Sequence, residues 1–308
     1  MNDLDEPDSI VPPALREPER GPPRTWVAVV LTIVLIGAGH IVRGRWQRGL
    51  GWHFARFATL PLFFRWTMPT MIVLLALHVA AIVDAVRCEP IEPRPRAGKA
   101  WLLCLALFAA SVTVALTIRH TIVQSFSIPS GSMIPALQVG DSLFVSKRRH
   151  LPARGEIVVF HYPREPHKDL IKRVIGIPGD TVELRADGGV VLNGRPLPQK
   201  EEPGDCSYDD RSDEDNRWYS RSCTMRSERI DGHEYRIYLS PGAERGSFAP
   251  VTVPPDSYFV LGDNRDNSHD SRYWGFVPSR MLVGTALRTW WSVGPQGVRW
   301  ERVQQPLP

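Results

Sequence analysis

The sequence predicts a mostly β protein, in which an antiparallel-sheet domain follows an N-terminal transmembrane anchor of several helices. Nearly all long apolar runs lie before residue 120, and short β-rich runs with turn signals follow them. No long amphipathic helix interrupts those runs. The chain has 308 residues, of which 43% are hydrophobic and 23% charged, enough for two such parts. This segregation excludes both a single uniform globule and a protein that is mostly membrane.

The first 118 residues are predicted to form a tail followed by an anchor. Residues 1–25 are rich in proline and charge, which is typical of a disordered tail, and they lack a signal-peptide cleavage site. Residues 26–118 form the anchor, and three apolar runs there are predicted to cross a bilayer: 26–42, 68–86 and 101–118. The run 51–64 is short and contains Arg56, so it is either a fourth span or an interfacial helix.

Charge orients the anchor. The loop 87–99 is basic, which places it in the cytoplasm, so the last span runs outward and residues 119–308 lie outside. Three spans would put the N-terminus inside and four would put it outside, and this choice stays open. The expected location is the cytoplasmic membrane, multi-pass, with membrane lipid as a partner. The net charge of +4 comes from dispersed arginines, so nucleic acid is not an expected partner.

Residues 119–308 carry the predicted strands, at 142–147, 156–162, 170–177, 181–185, 190–194, 235–239, 257–263 and 281–291. The acidic stretch 199–230 lacks periodicity and is predicted to be a surface insertion away from the motif segments. Cys206 and Cys223 flank its acidic loop. In an oxidising compartment they would form a disulfide, and two free thiols are the alternative. No Cys or His spacing suggests a zinc site.

A serine-rich turn follows the last apolar run. Ser130, Gly131 and Ser132 lie between Pro129 and Pro135, and the prolines stiffen the backbone while the glycine permits a close approach. Such a turn can expose one serine oxygen and aim backbone N–H groups at a developing oxyanion. By itself, a Ser-Gly-Ser sequence is most often only a turn.

A serine nucleophile needs a base. Strand alternation places Lys172 on an apolar face with Leu170 and Val174, where lost hydration would lower its pKa. Taken alone, a lysine whose amine reaches out to water is the commoner case. The histidines after the last span lie in no recognisable catalytic context: His150, His161, His167, His233 and His269.

The segment 262–278 concentrates aspartate, asparagine and arginine, which predicts a hydrogen-bonded loop that braces its surroundings. Its acidic side chains also suggest a calcium loop. A calcium site is nevertheless not expected, because the loop glycine and the terminal glutamate of an EF-hand are missing.

Together these segments resemble the type I (leader) signal peptidases, which are membrane-bound serine peptidases with a Ser–Lys dyad. The resemblance covers about 121–290. It is carried by the motif Ser-x-Ile-Pro-Ser-Gly-Ser-Met-x-Pro at 126–135, with Phe126 at its first position, and by the segments 140–147, 155–180 and 262–278. The family usually has one or two spans before this domain, so the role of residues 26–86 is left open.

The resemblance implies a role for each matching residue. Ser132 would be the nucleophile, Lys172 the general base, Ser130 an oxyanion donor, and Ser268 the hydroxyl that orients the lysine. Phe126 and Ile128 would line the substrate pocket, to which the sequence adds Met133 as a neighbouring apolar residue. Asp270 and Arg272 would be structural, with Arg173 as their nearby partner.

The implied function is removal of N-terminal signal peptides from secreted preproteins, after small residues in Ala-x-Ala sites. Preproteins are thus the expected partners, and no metal or organic cofactor is needed. Two alternatives remain. One is a related Ser–Lys peptidase that processes a few dedicated substrates. The other is a catalytically silent, membrane-tethered binding module.

Overall fold

Helices occupy the first 121 residues and strands most of the remainder. The computed structural model describes residues 25–63, 66–89, 97–147, 151–212 and 215–308. The predicted tail lies outside the described residues, apart from Thr25, as does His150. The chain divides into two compact units, residues 1–112 and 113–308.

Six helices are described before the strands. They are α1 (Thr25–Val34), α2 (Ala38–Val42), α3 (Trp46–Ala58), α4 (Leu60–Phe63), α5 (Thr67–Arg87) and α6 (Ala97–Thr121). Among the described residues, two stretches are long and apolar enough to cross a membrane, Pro69–Arg87 and Gly98–Thr121. They match two of the three predicted spans.

The run 26–42, predicted as one span, consists of two short helices. Gly37 has φ of 89°, in the left-handed region that suits glycine, and α2 starts directly after it. The 10 residues of α1 extend about 15 Å, half of the bilayer core. The run 51–64 falls within α3 and α4 and is also not one long helix. The number of spans therefore stays a prediction.

Polar side chains within the apolar helices of the first unit have partners. The Asp84 carboxylate lies 2.8 Å from His40 Nε2 and accepts a 2.9 Å hydrogen bond from Trp52 Nε1. Arg43 donates to the carbonyl of Cys88 at 2.7 Å. An unpaired polar group in an apolar environment is costly, so these contacts explain how Asp84 is accommodated in α5.

The second unit contains all the strands, and their pairings are antiparallel except for an isolated bridge between Tyr238 and Asn264. The bounds are β1 (Val123–Ser127), β2 (Asp141–Ser146), β3 (Ile157–Tyr162), β4 (Glu165–Gly176), β5 (Thr181–Leu184), β6 (Val190–Leu192), β7 (Arg195–Pro196), β8 (Gln199–Glu201), β9 (Cys206–Arg211), β10 (Trp218–Ile230), β11 (His233–Leu239), β12 (Phe248–Thr252), β13 (Ser257–Leu261), β14 (Val277–Pro278), β15 (Leu282–Gly294) and β16 (Gly297–Val298). The predicted mostly β fold is confirmed.

Three sheets result. The largest has the order β1-β2-β15-β3-β4-β13-β14, with β16 on β15, and the others have the orders β12-β5-β6-β7 and β11-β10-β8, with β9 on β10. Strand β3 is apolar on both faces because it is buried on both: Val158 and Phe160 join one core cluster, and Ile157 and Val159 join another.

The stretch 199–230 is not the irregular insertion that was predicted. It forms β8, β9 and β10, and β10 pairs with both of the others and with β11. Its strands are polar, so backbone pairing and a Cys206–Cys223 disulfide hold them where apolar alternation is missing. The two cysteines face each other in the β9–β10 ladder, with their Cα atoms 4.9 Å apart.

Candidate active site

Ser132 and Lys172 meet in the second unit. Ser132 lies in the short 3-10 turn Gly131–Met133 after β1, and Lys172 lies in β4. The Lys172 Nζ is 2.8 Å from Ser132 Oγ and also donates a 2.8 Å hydrogen bond to the carbonyl of Ile171. A hydroxyl within hydrogen-bond reach of an amine is the geometry that an amine base requires to take the hydroxyl proton.

Lys172 is almost completely buried, with 3% of its surface exposed. Loss of hydration lowers the pKa of its amine to about 8, because burial penalises the charged form. The carboxylates of Asp270 and Asp263 act in the opposite direction and raise this pKa. A lysine with such a pKa carries a substantial neutral fraction near neutrality.

Ser130 lies beside the same turn. Its Oγ is 3.5 Å from Ser132 Oγ, and either hydroxyl can donate. Ser130 is exposed whereas Ser132 is buried, so the Ser130 hydroxyl lies on the solvent side of Ser132. A hydroxyl on that side is available to an oxygen of a molecule that approaches from solvent.

The resemblance assigns Ser268 to orienting the lysine, but its hydrogen bond goes to an aspartate. Ser268 Oγ donates to Asp270 Oδ2 at 2.8 Å. Asp270 is fully buried and also accepts from the backbone N–H of Gly262 and from the Arg272 guanidinium, at 2.7 Å from Nε. Ser268 is therefore part of the network that holds Asp270 and Arg272 together.

Arg173 is not the partner of Asp270 or Arg272. Its guanidinium forms a bidentate pair with Asp263, at 2.8 and 2.6 Å, and donates to the Gly155 carbonyl at 2.7 Å. Both members of this pair are buried. Alternation in β4 points Lys172 to one face and Arg173 to the other, which separates the arginine from the Asp270 network.

The apolar residues predicted to line a pocket pack together. Ile128 and Met133 belong to one buried cluster, and the partly buried Phe126 and Ile171 pack against it. Met133 has no exposed surface, because its side chain fills the core. Phe126 and Ile128 are thus the better placed of the three to border an apolar pocket, with Met133 beneath them.

Sequence reasoning missed the contacts made by Asn264. Its Nδ2 donates to the Gly131 carbonyl at 3.0 Å, and its backbone N–H donates to the Ser132 carbonyl at 3.2 Å. Asn264 lies in the segment 262–278, so the segment was noticed while the role was not. These bonds fix the backbone of the turn on both sides of the Ser132 nitrogen.

The described histidines have contacts elsewhere. His161 pairs with Asp169 at 2.7 Å, His167 lies 3.8 Å from Glu165, and the ring of His269 stacks on Tyr273. His161 and His167 are exposed on the surface of the sheet. The residue that contacts the Ser132 hydroxyl as a potential base is Lys172.

Comparisons with known proteins agree with this arrangement. Residues 100–291 match the family model described as signal peptidase, peptidase S26. Similar proteins include the signal peptidase I of Pseudomonas aeruginosa, 36% identical over 208 residues, which is 58% of this chain and 68% of that protein. Another is the signal peptidase I of Leptolyngbya laminosa, 34% identical over 220 residues, covering 68% of this chain and 89% of the relative.

A third relative is the signal peptidase I of Aquifex aeolicus. It is 36% identical over 207 residues, which is 59% of this chain and 80% of that protein. The matched region contains the serine turn, β4 and the segment 262–278. The chain belongs to the signal peptidase family, peptidase S26.

Proposed function

We propose that this protein is a signal peptidase I, which hydrolyses the peptide bond between a signal peptide and the mature part of a secreted preprotein. The observation that carries the proposal is the 2.8 Å contact between Ser132 Oγ and the buried Lys172 amine. Family membership supports signal-peptide removal, and this contact supports a Ser–Lys dyad as the means.

The proposed chemistry begins with neutral Lys172. Ser132 Oγ attacks the scissile carbonyl carbon while Lys172 Nζ takes the hydroxyl proton. The carbonyl oxygen becomes an oxyanion, which accepts hydrogen bonds from Ser130 Oγ and from the backbone N–H of Ser132. Collapse breaks the peptide bond, the lysine gives its proton to the leaving amine, and an acyl-enzyme remains. Water, deprotonated by Lys172, then releases the signal peptide and restores Ser132.

Specificity for small residues would come from the apolar border of the site. Phe126 and Ile128 offer no charge or hydrogen-bonding side chain, so a charged residue would be desolvated without compensation. A large residue would overlap the packed cluster beneath. Alanine, glycine or serine is therefore expected immediately before the cut, with a small aliphatic residue two positions further upstream.

The proposed location is the outer face of the cytoplasmic membrane, with the helical anchor in the bilayer. The two long apolar helices support membrane attachment. The basic loop 87–99 supports the cytoplasmic position of the start of α6, and the outward direction of that helix follows from it. Ser132 then follows shortly after the end of α6 at Thr121, close to where a membrane-inserted signal peptide ends.

The test uses the full chain in detergent micelles with a panel of preproteins that carry Ala-x-Ala sites. We expect wild-type protein and Ser127→Ala, which changes an exposed serine of β1, to cleave the panel, and Ser132→Ala to cleave none. Cleavage of only a few panel members would favour a dedicated processing peptidase. No cleavage by the wild type would favour a silent binding module, and equal cleavage by Ser132→Ala would exclude Ser132 as nucleophile.

A further inference from the structure

The ribbon formed by β9 and β10 reaches the serine turn, although the sequence predicted that it would lie apart from it. The contact is made by Asp210, which is 4% exposed. Asp210 Oδ1 packs so closely on Gly131 that a Cβ added to the glycine would lie 2.5 Å from that oxygen. Residue 131 thus contacts a carboxylate from a strand far away in the sequence.

The other carboxylate oxygen of Asp210 holds a second segment of the site. Oδ2 accepts a 2.8 Å hydrogen bond from Asn267 Nδ2 and a 3.2 Å hydrogen bond from the Tyr219 hydroxyl. Asn267 ends the 3-10 turn Arg265–Asn267, and the next residue is Ser268. One side chain therefore connects the turn that carries Ser132 with the turn that leads into the Asp270 network.

The charge of Asp210 is balanced locally. Arg221 Nε lies 3.7 Å from Asp210 Oδ2, and the same guanidinium donates to the Tyr219 hydroxyl at 2.9 Å. This balance matters because an uncompensated carboxylate beside the turn would oppose the negative charge that develops on a substrate carbonyl. The ribbon therefore supplies both the carboxylate and the cation that offsets it.

The Cys206–Cys223 disulfide closes the same ribbon. Tyr219 faces Asp210 in the β9–β10 ladder, and the cysteines face each other four pairs further along it. The ribbon strands bury few apolar side chains, so the disulfide fixes a ladder that backbone pairing alone would hold weakly. Loss of the disulfide would let β9 move, and Asp210 would move with it.

We propose that Asp210 is a positioning residue for the nucleophile turn, and that the Cys206–Cys223 disulfide maintains its position. Asp210 acts through Gly131 and Asn267 and contacts no reacting atom itself. This inference rests on the proposed function, in which Ser132 is the nucleophile. Its consequence is that a disulfide outside the motif segments contributes to the rate of peptide-bond cleavage.

The first test compares three variants of the full chain in detergent micelles. For Asp210→Ala we expect kcat to fall by about 10- to 100-fold with KM within about twofold, since misplacement of a nucleophile affects the chemical step. Asp210→Asn should recover most of kcat, because its amide oxygen still accepts from Asn267 and Tyr219. Asp209→Ala, which changes the adjacent exposed residue, should retain wild-type kcat.

Two outcomes would overturn the proposal at this stage. One is equal kcat for Asp210→Ala and Asp209→Ala. The other is an Asp210→Ala variant whose lost activity is explained entirely by a lower fraction of folded protein, measured by thermal unfolding of the same samples. Ser132→Ala is measured in parallel, because residual cleavage by that variant would refute the proposed function rather than the role of Asp210.

The second test addresses the disulfide. The double variant Cys206→Ser, Cys223→Ser should lower kcat in the wild-type background, in the same direction as Asp210→Ala. Combined with Asp210→Ala it should cause no further loss, because both changes release the same contact. Independent, multiplicative losses in kcat, or no loss from the cysteine variant alone, would show that the disulfide does not act through Asp210.

Discussion

The buried amine of Lys172 makes a quantitative prediction for the pH dependence of cleavage. Burial lowers its pKa from 10.5 to about 8. With a pKa of about 8, about one tenth of the lysine is neutral at pH 7, compared with roughly one in 3,000 for an unperturbed side chain. The site thereby raises the population of the reactive form about 300-fold at that pH.

The assay is the initial rate of cleavage of one preprotein with an Ala-x-Ala site, measured between pH 6 and pH 10. Below the pKa, kcat/KM should rise about tenfold for each pH unit, because only neutral lysine accepts the proton, and the rate should level off above about pH 8. Lys172→Arg should remove activity over the whole range, since arginine keeps its proton. The matched control is Lys168→Arg, on the exposed part of the same strand.

Two results would refute this reasoning. A profile that is flat between pH 6 and pH 9 would show that no group with the pKa of Lys172 controls the rate. A limb near pH 6.5 that disappears in a histidine variant, with Lys172→Arg still active, would assign the base to that histidine.

Three further predictions concern neighbouring features. Ser130→Ala should lower kcat by about 10²- to 10³-fold with little change in KM, as expected for the loss of one oxyanion donor; a rate within twofold of wild type would exclude that role. Lys172→Met should be inactive, yet more stable at pH 7 by about 1–3 kcal/mol in thermal unfolding, because the folded state disfavours the protonated amine. Because the pKa of Lys172 is lower in the folded state, wild-type stability should increase between about pH 8 and pH 10.5, and that increase should be absent in Lys172→Met. Finally, one preprotein with Ala, Val, Phe or Lys before the bond should be cleaved well only with Ala, and equal cleavage of the Phe or Lys form would place the pocket away from Phe126 and Ile128.

The strands and the reactive pair were predictable because both leave local signals. Alternation in β4 placed Lys172 and Arg173 on opposite faces, and the structure puts the first on Ser132 and the second on Asp263. Most predicted strands differ from the observed ones by a few residues at their ends, where pairing with a neighbouring strand decides the boundary.

Long-range polar contacts were not predictable. Asp210 reaches Gly131 from a polar ribbon that has no apolar alternation, so no period marks β9 or β10 as strands. The partner of Arg173 was misassigned because a bidentate pair depends on which aspartate the fold brings to its face. The break at Gly37 was missed because an apolar run has the same composition whether or not its helix is continuous.

The central claim is that Ser132 becomes acylated with Lys172 as its base. The most direct measurement is intact-mass spectrometry of the full chain, rapidly quenched during cleavage of a peptide substrate, followed by mapping of the modified peptide. We expect an adduct with the mass of the acyl fragment on Ser132 in the wild type, and none in Ser132→Ala or Lys172→Met. An adduct on another residue, or one that forms equally fast in Lys172→Met, would contradict the claim.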